Sequence, residues 1–181
     1  MIHTHHSTYY VTTTRFNDKT FDENKEFRNK ISAKKKSPYQ GCVYGSPTMM
    51  TETIPLYSNI IVIEMLNISR NKITSADQHI DFPGKIMGIS LLKNNPQYKK
   101  YRIYKDDNYN RYTFIGKVRI DRKDIEDKEK LKELEHILFY GKTHLKRGHG
   151  FTSIPQNKLK TPNLMKFILT ELSISPSNGI K

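Results

Sequence analysis

Runs of apolar and β-branched residues along the chain predict its main strands. Residues 59–66, NIIVIEML, are apolar enough to predict a buried central strand, interrupted by Glu64. Residues 85–92, KIMGISLL, predict a second strand, in which Gly88 indicates a β-bulge or a close approach of another backbone segment. A brief strand at 42–44 is predicted between two turns.

Alternation predicts two further strands, at 101–104 and 112–120, joined as a β-hairpin by the turn-rich segment KDDNYNR. In the second strand, positions 112, 114, 116, 118 and 120 share an apolar and aromatic face, and positions 113, 115, 117 and 119 share a mixed, basic face. The rings of Tyr112 and Phe114 are therefore expected to contribute to the core. Tyr109 and the tyrosines of 98–104 are the freer rings.

Helical spacing predicts helices at 22–36, 124–140 and 161–173. The first has acidic residues early and lysines late, which matches the helix dipole. The second carries an apolar stripe, with Asp124 as its N-cap and Gly141 just past its end. These stripes are expected to face the core.

Short strands with hairpin connections, followed by helices, predict an α+β fold. We expect a small, strongly bent antiparallel or mixed β-sheet flanked by two or three helices. A half-open barrel is one form that such a sheet can take. Residues 1–37 are predicted to be a polar N-terminal segment with a short helix, 38–173 a single domain, and 174–181 a loose tail. Residues 67–83 predict a long loop.

The charge of the chain predicts an acidic partner. Its 181 residues carry a formal net charge of +13, which favours nucleic acid first, an anionic membrane surface second and an acidic protein third. An AT-rich genome, which biases codons towards lysine, is an alternative source of part of this charge. The absence of a long apolar run and the presence of one cysteine, Cys42, predict an intracellular protein without a membrane span.

Residues 98–119 combine five tyrosines with seven lysines or arginines. Cations attract a phosphate backbone and flat rings stack on unpaired bases, so this segment is a candidate reader of RNA or single strands. The alternative is a strand pair whose rings pack in the core. The candidate binding residues are Lys99, Lys100, Arg102, Tyr104, Tyr109, Arg111, Tyr112 and Arg119.

The segment GKTHLKRGHG at 141–150 is a second candidate. Glycines flank His149, so the backbone there can approach a ligand closely, and Lys146 and Arg147 can hold a phosphate. Together with Lys142 these residues are expected to form the second wall of a groove beside the aromatic segment. The glycine spacing of a Walker loop is missing, and an exposed basic loop without a ligand is the alternative.

A catalytic alternative would use His144 and His149 as general base and acid of a metal-free ribonuclease. Spacing alone does not bring them together, so we expect no catalytic residue. We also expect no cofactor and no metal site, and the clustered His3, His5 and His6 lie in a tail that is unsuited to one.

Several stretches carry a resemblance to a known group of proteins: GCVYGSP, IIVIEMLN, KIMGISLLKN, YNRYTFIGKVRIDR and LFYGKTHLKRGHG. Over most of residues 12–155, the chain resembles an uncharacterised family of basic proteins of nucleocytoplasmic giant DNA viruses. This resemblance implies a viral protein acting in the host cytoplasm or virus factory, or packaged in the virion. The order of a strand that ends in an acid, then a loop, then the strand KIMGISLLKN is similar to part of the PUA-like domains of the EVE and YTH groups. Those domains hold a base in an aromatic cage that usually contains tryptophan, and this chain has no tryptophan.

The expected function is non-catalytic binding of nucleic acid, with RNA or single strands favoured. The alternatives are a structural or virion-packaged protein with acidic partners, and a metal-independent nuclease or phosphodiesterase. RNA versus DNA and the oligomeric state are left open by the sequence.

Overall fold

The computed structural model describes residues 8–68, 84–160 and 163–174, and in this part of the chain eight strands form two sheets. The strands are β1 (Tyr9–Phe16), β2 (Cys42–Ser46), β3 (Asn59–Asn67), β4 (Gly84–Lys93), β5 (Gln97–Tyr98), β6 (Tyr112–Gly116), β7 (Val118–Asp121) and β8 (Phe151–Ser153). The described helices are α1 (Asp18–Lys35), α2 (Lys128–Phe139), α3 (Gln156–Leu159) and α4 (Leu164–Glu171). The predicted α+β class is confirmed, and the sheets are not closed into a barrel.

The larger sheet has the order β7-β4-β3-β1-β8. Strands β1 and β3 are parallel, whereas the other neighbours are antiparallel. The smaller sheet is antiparallel, with the order β2-β6-β5. Because β1 and β3 run in the same direction, their carboxyl ends meet at one edge of the larger sheet, where α1 begins.

Strand β3 is buried on both faces, as its apolar run predicts. One face packs against α2 and α4 in a core that includes Ile61, Ile63, Leu134 and Ile168. The other face packs against the smaller sheet and α1, in a second core that includes Ile60, Val62, Val43, Tyr44 and Phe114. The molecule is therefore layered, with the larger sheet between two cores. No helix in the described ranges is long and apolar enough to cross a membrane.

Gly88 has the β-bulge predicted for it, whereas the groups that approach it closely are side chains and not another backbone segment. The register of β3 with β4 shifts so that Glu64 lies opposite Gly88 and Met65 opposite Ile86, which makes a β-bulge. A Cβ atom at Gly88 would lie 2.8 Å from Nη2 of Arg119 and 2.9 Å from Oε2 of Glu64. The missing side chain therefore makes room for an ion pair.

The predicted hairpin of 101–104 with 112–120 is wrong. Strand β6 pairs with β2 on one side and with the two-residue strand β5 on the other, where Tyr98 is opposite Tyr112. Residues 101–104 form no strand. The predicted second strand also divides at Lys117, because β6 belongs to the smaller sheet and β7 to the larger one. A break at this point lets one chain segment join the two sheets.

Asn110 holds residues 103–110 as a loop. Its Oδ1 accepts hydrogen bonds from the backbone N–H groups of Ile103 and Tyr104, each at 2.9 Å, and its Nδ2 donates to the carbonyl oxygen of Tyr104 at 2.7 Å. One buried amide thus satisfies three backbone groups that a strand partner would otherwise satisfy.

Residues 8–37 of the predicted N-terminal segment contribute strand β1 and helix α1 to the fold, and residues 1–7 lie outside the described residues. Strand β1 lies between β3 and β8, and Thr12, Thr13 and Thr14 are buried. The hydroxyl of Thr12 donates to the carbonyl oxygen of Ile61 at 3.1 Å, which satisfies it inside the sheet. The threonines fit because β-branched side chains favour strands.

The predicted helix ends are partly right. Helix α1 begins at Asp18, earlier than predicted, with a capping box formed by Asn17 and Thr20. The N-cap of α2 is Asp127, not Asp124, which lies in a preceding 3-10 turn. Gly141 follows α2 with φ +78° and is the predicted terminating glycine. Most of the loop predicted at 67–83, and the tail after residue 174, lie outside the described residues.

Candidate nucleic-acid interface

A cleft of about 180 Å³ opens where the carboxyl ends of β1 and β3 meet the start of α1. We call it the loop–tyrosine cleft. Its lining comes from β1, β2, β3, α1 and two loops: Thr14, Arg15, Phe16, Asn17, Thr20, Gly45, Asn67, Tyr104, Tyr109, Lys146, Gly148, His149 and Gly150. The two sequence segments expected to share a groove therefore meet, because Tyr109 comes from one and Lys146 and His149 come from the other.

The loop 141–150 is fastened to the sheet by Arg15. The guanidinium donates to the carbonyl oxygens of Gly148 at 3.2 Å, Gly150 at 3.0 Å and Leu145 at 3.4 Å, and to Oγ1 of Thr13 at 3.0 Å. Burial lowers the pKa of Arg15 from its usual value, but an arginine remains a cation at neutral pH. Arg15 thus positions the loop while adding positive charge to the cleft.

Two further contacts determine the path of this loop. Gly150 has φ +63°, and a Cβ atom there would lie 2.3 Å from Oγ of Ser46 on β2. Nδ2 of Asn67 donates to the carbonyl oxygen of Lys146 at 3.0 Å. Oδ1 of Asn67 is buried and has no hydrogen-bond partner among the described residues, so the contact that Asn67 makes with the loop is the one donated by its Nδ2.

The tyrosine wall of the cleft has one structural ring and one accessible ring. Tyr104 is 5 % exposed, its hydroxyl accepts a hydrogen bond from Nδ2 of Asn24 at 3.0 Å, and burial raises its pKa. It is therefore not available to stack on a base, contrary to prediction. Tyr109 is half-buried and packs edge-on against Tyr104 with ring centroids 6.2 Å apart. Tyr104 thus supports Tyr109 at the cleft.

The electrostatics of the cleft favour an anion. Arg15, Lys146 and His149 line it, and its described lining contains no carboxylate. A carboxylate there would compete with a phosphate for the guanidinium of Arg15 and the ammonium group of Lys146. Lys146 and His149 form no ion pair with any described residue, which leaves their donors free for a ligand.

A second aromatic and basic surface lies on β5 and β6. The rings of Tyr98 and Tyr112 are 5.7 Å apart, Nζ of Lys99 lies 5.4 Å from the centroid of Tyr98, and the guanidinium of Arg111 lies 5.8 Å from that of Tyr112. Tyr98 is 61 % exposed. We call these four residues the Tyr98 patch, and its paired rings and cations are suited to a stacked base and its phosphate.

The Tyr98 patch and the loop–tyrosine cleft lie at the same end of the protein. Tyr112 is opposite Ser46 in the pairing of β6 with β2, and Ser46 is the residue against which Gly150 packs. The patch is therefore one strand away from the basic loop.

Arg119 does not belong to this interface. Its guanidinium donates to Oε1 and Oε2 of Glu64 at 2.8 and 2.7 Å and to Oδ2 of Asp121 at 3.1 Å, and its side chain is 5 % exposed. These partners raise its pKa against the opposing effect of burial. The hydroxyl of Tyr44 also donates to Glu64, at 2.6 Å. The predicted phosphate contact is replaced by a buried ion pair between β7 and β3.

The remaining predicted residues are scattered. Lys142 and Arg147 are exposed but do not line the cleft. Arg102 is on another surface, beside Glu23 and Glu26 of α1. Lys100 faces a separate cleft with Tyr101. The basic segment 98–119 therefore serves several surfaces.

The loop–tyrosine cleft does not bring together the two histidines of the catalytic alternative. His149 lines the cleft but His144 does not, and Nδ1 of His144 accepts a hydrogen bond from the backbone N–H of Lys146 at 3.3 Å. No group of three histidine, cysteine, aspartate or glutamate side chains suited to a metal occurs in the ranges that the structure describes. His3, His5 and His6 lie outside them.

Sequence reasoning missed Arg15 and Asn67. The signal for Arg15 was the run of β-branched residues just before it, 11–14, because such residues favour a strand even when most of them are threonines. Asn67 gave no signal, because its role depends on a carbonyl group 79 residues away.

Comparison of the chain with protein-family models, curated proteins and solved structures finds no match. The resemblance to giant-virus proteins and to PUA-like domains remains a prediction from the sequence. The geometry of the two surfaces is therefore the basis for a functional proposal.

Proposed function

We propose that the protein binds single-stranded nucleic acid, with RNA favoured, and catalyses no reaction on it. The observation that carries this proposal is the loop–tyrosine cleft, which joins the ring of Tyr109 to Lys146 and His149 with no carboxylate in its described lining. A ring beside a lysine that has no ion pair with a described residue, and beside an imidazole that can donate a hydrogen bond, matches a base and its phosphate.

The Tyr98 patch extends this site. Duplex bases present no free faces, so the exposed ring of Tyr98 beside the half-buried ring of Tyr112 favours single strands over a duplex. Lys99 and Arg111 lie over these rings and supply charge for the adjoining phosphates. We place this activity inside the cell, because the chain has one cysteine, Cys42, which is buried and free, whereas small secreted proteins are often stabilised by disulfides.

The proposal is tested by titrating a fluorescent single strand of about 12 nucleotides, as RNA and as DNA, at about 50 and 200 mM salt. Affinity should fall with salt, and Lys146→Ala should reduce the slope of log K against log salt by about 0.7. Tyr109→Ala should weaken binding by about 1–3 kcal/mol, with Tyr109→Phe close to wild type.

Lys132→Ala is the matched control, because Lys132 is an exposed lysine on α2, which packs on the opposite face of the larger sheet. Circular dichroism checks that each variant folds. Failure of the wild-type protein to bind either strand at low salt, or an equal loss from Lys146→Ala and Lys132→Ala, overturns the proposal.

A further inference from the structure

A second cleft, of about 690 Å³, lies beside the smaller sheet and has no role in the interface described above. Its apolar lining includes Leu91, Ile115 and Val118, from β4, β6 and the start of β7. Ile115 is 40 % exposed, although it is a large apolar side chain in the middle of the sheet. We call this the Ile115 cleft, and its volume is in the range of small-molecule sites.

The rim of the Ile115 cleft is cationic. Lys93, Lys100 and Lys117 line it, and no carboxylate occurs in its described lining. None of the three lysines forms an ion pair with a described residue. A ligand that fits must therefore combine an apolar body with negative charge.

The other polar groups of the cleft indicate a flat body with hydrogen-bonding edges. Asn59, Asn95 and Gln97 are among its lining residues, and Nε2 of Gln97 donates to Oδ1 of Asn95 at 3.2 Å. Tyr101 contributes an aromatic wall, steadied by an edge-on contact with Phe27 of α1 at 6.1 Å. Amides read the edges of bases and rings stack on their faces, whereas an alkyl chain would leave the amides unpaired.

The edge of the smaller sheet connects this cleft to the Tyr98 patch. Tyr112 and Ile115 are on opposite faces of β6, because side chains alternate along a strand. The two-residue strand β5 is the edge, and after it Nζ of Lys99 lies over Tyr98 while Nζ of Lys100 lies over Tyr101, each 5.4 Å from the ring centroid. Two successive lysines therefore place their ammonium groups over rings on the two sides of the β5 edge.

From this arrangement we infer that the Ile115 cleft is a second nucleotide subsite, which receives a base from the same strand after its backbone crosses the sheet edge at Lys99 and Lys100. The inference rests on the proposed function and extends it by naming a nucleotide as the occupant.

The test measures affinity for a single strand of about 12 uridines and for an abasic strand with the same phosphates. Ile115→Asp should weaken binding of the uridine strand about tenfold and should leave binding of the abasic strand much less affected. Leu56→Asp is the matched control, because Leu56 is 55 % exposed in a loop outside both clefts and adds the same charge. An equal loss from the two aspartate variants, or an equal loss on both strands, overturns the subsite.

A second measurement uses the absence of tryptophan from the chain. The Ile115→Trp variant places a single fluorophore in the cleft, and its emission should change on addition of uridine 5′-phosphate but not of ribose 5-phosphate. Leu56→Trp should respond to neither. A response to hexyl phosphate in place of the nucleotide overturns the inference in favour of a lipid-like anion.

Failure of this inference is distinguishable from failure of the proposed function. If binding of the uridine strand depends on Lys146 but does not change in Ile115→Asp, the loop–tyrosine cleft remains the binding site and only the second subsite is overturned. No binding of the strand by the wild-type protein overturns both.

Discussion

Replacing Arg119 with methionine should be among the most damaging single changes in this fold. Methionine keeps much of the length of the side chain and removes its charge, which isolates the carboxylate of Glu64. That residue is 1 % exposed and receives two of its hydrogen bonds from Arg119, at 2.8 and 2.7 Å. In the variant, Tyr44 would be the remaining side-chain donor to Glu64 among the described residues.

The expected loss can be bounded in two ways. Unit charges about 4 Å apart interact by about 4 kcal/mol at an effective dielectric constant near 20, and removal of one partner from a buried pair costs about 3–5 kcal/mol. Both estimates agree. For a chain of this size such a loss corresponds to a fall in Tm of roughly 6–20 °C.

Urea unfolding followed by circular dichroism measures the free energy of unfolding directly. Lys117→Met is the control, because Lys117 is exposed and should change stability by less than about 0.5 kcal/mol. Arg119→Met combined with Glu64→Leu should recover most of the loss, since no unpaired charge then stays buried. A single variant within 1 kcal/mol of wild type, or a double variant no more stable than the single one, would refute the reasoning.

Three further outcomes are expected. Gly150→Ala should lower the free energy of unfolding by about 1–3 kcal/mol and weaken nucleic-acid binding, because the added Cβ atom would lie 2.3 Å from Oγ of Ser46. Gly141→Ala is the control: Gly141 also has a positive φ but has nothing within 4 Å of the added Cβ, so the loss should be about 1 kcal/mol or less. Equal losses in urea unfolding would contradict this expectation. Burial raises the pKa of Cys42 to about 12, so its thiol should react with Ellman's reagent at pH 8 only after unfolding, and fast labelling of the native protein would disprove its burial. Partial burial of Asp121 alone would raise its pKa, but the backbone N–H of Lys123 and the Arg119 guanidinium lower the pKa overall. The contribution of Asp121 to the free energy of unfolding is therefore present above about pH 3.9 and is lost as the pH falls through the lower folded-state pKa. The stabilities of wild type and Asp121→Asn should converge in acid, and a difference that stays constant with pH would contradict the lowered pKa.

Sequence patterns predicted elements whose cause is local. The apolar run of β3 specifies a strand with two buried faces wherever it pairs, and the stripe of α2 specifies one buried face. Gly88 was informative for a related reason, because a glycine inside a strand has few roles apart from a bulge or a close approach. These elements could be predicted without knowing their neighbours.

The elements that were mispredicted depend on distant partners. Residues 101–104 alternate like a strand, but Asn110 satisfies their backbone groups and makes a loop. Arg119 is on the predicted polar face of its strand, yet that face meets Glu64, 55 residues earlier in the chain. The patterns identify which side chains share a face but not what that face contacts.

The division of labour between arginine and lysine has a consequence for recognition. Arg15 and Arg119 use their forked donors on carbonyl and carboxylate groups inside the protein, and Arg122 does the same with Glu135. Lys146 at the loop–tyrosine cleft and the lysines of the Ile115 cleft are left as unpaired cations. An ammonium group is a point charge that holds a phosphate without selecting its orientation, and ring stacking accepts every base. An interface built from these parts should therefore follow a strand by its backbone and its flexibility, with little preference for its sequence.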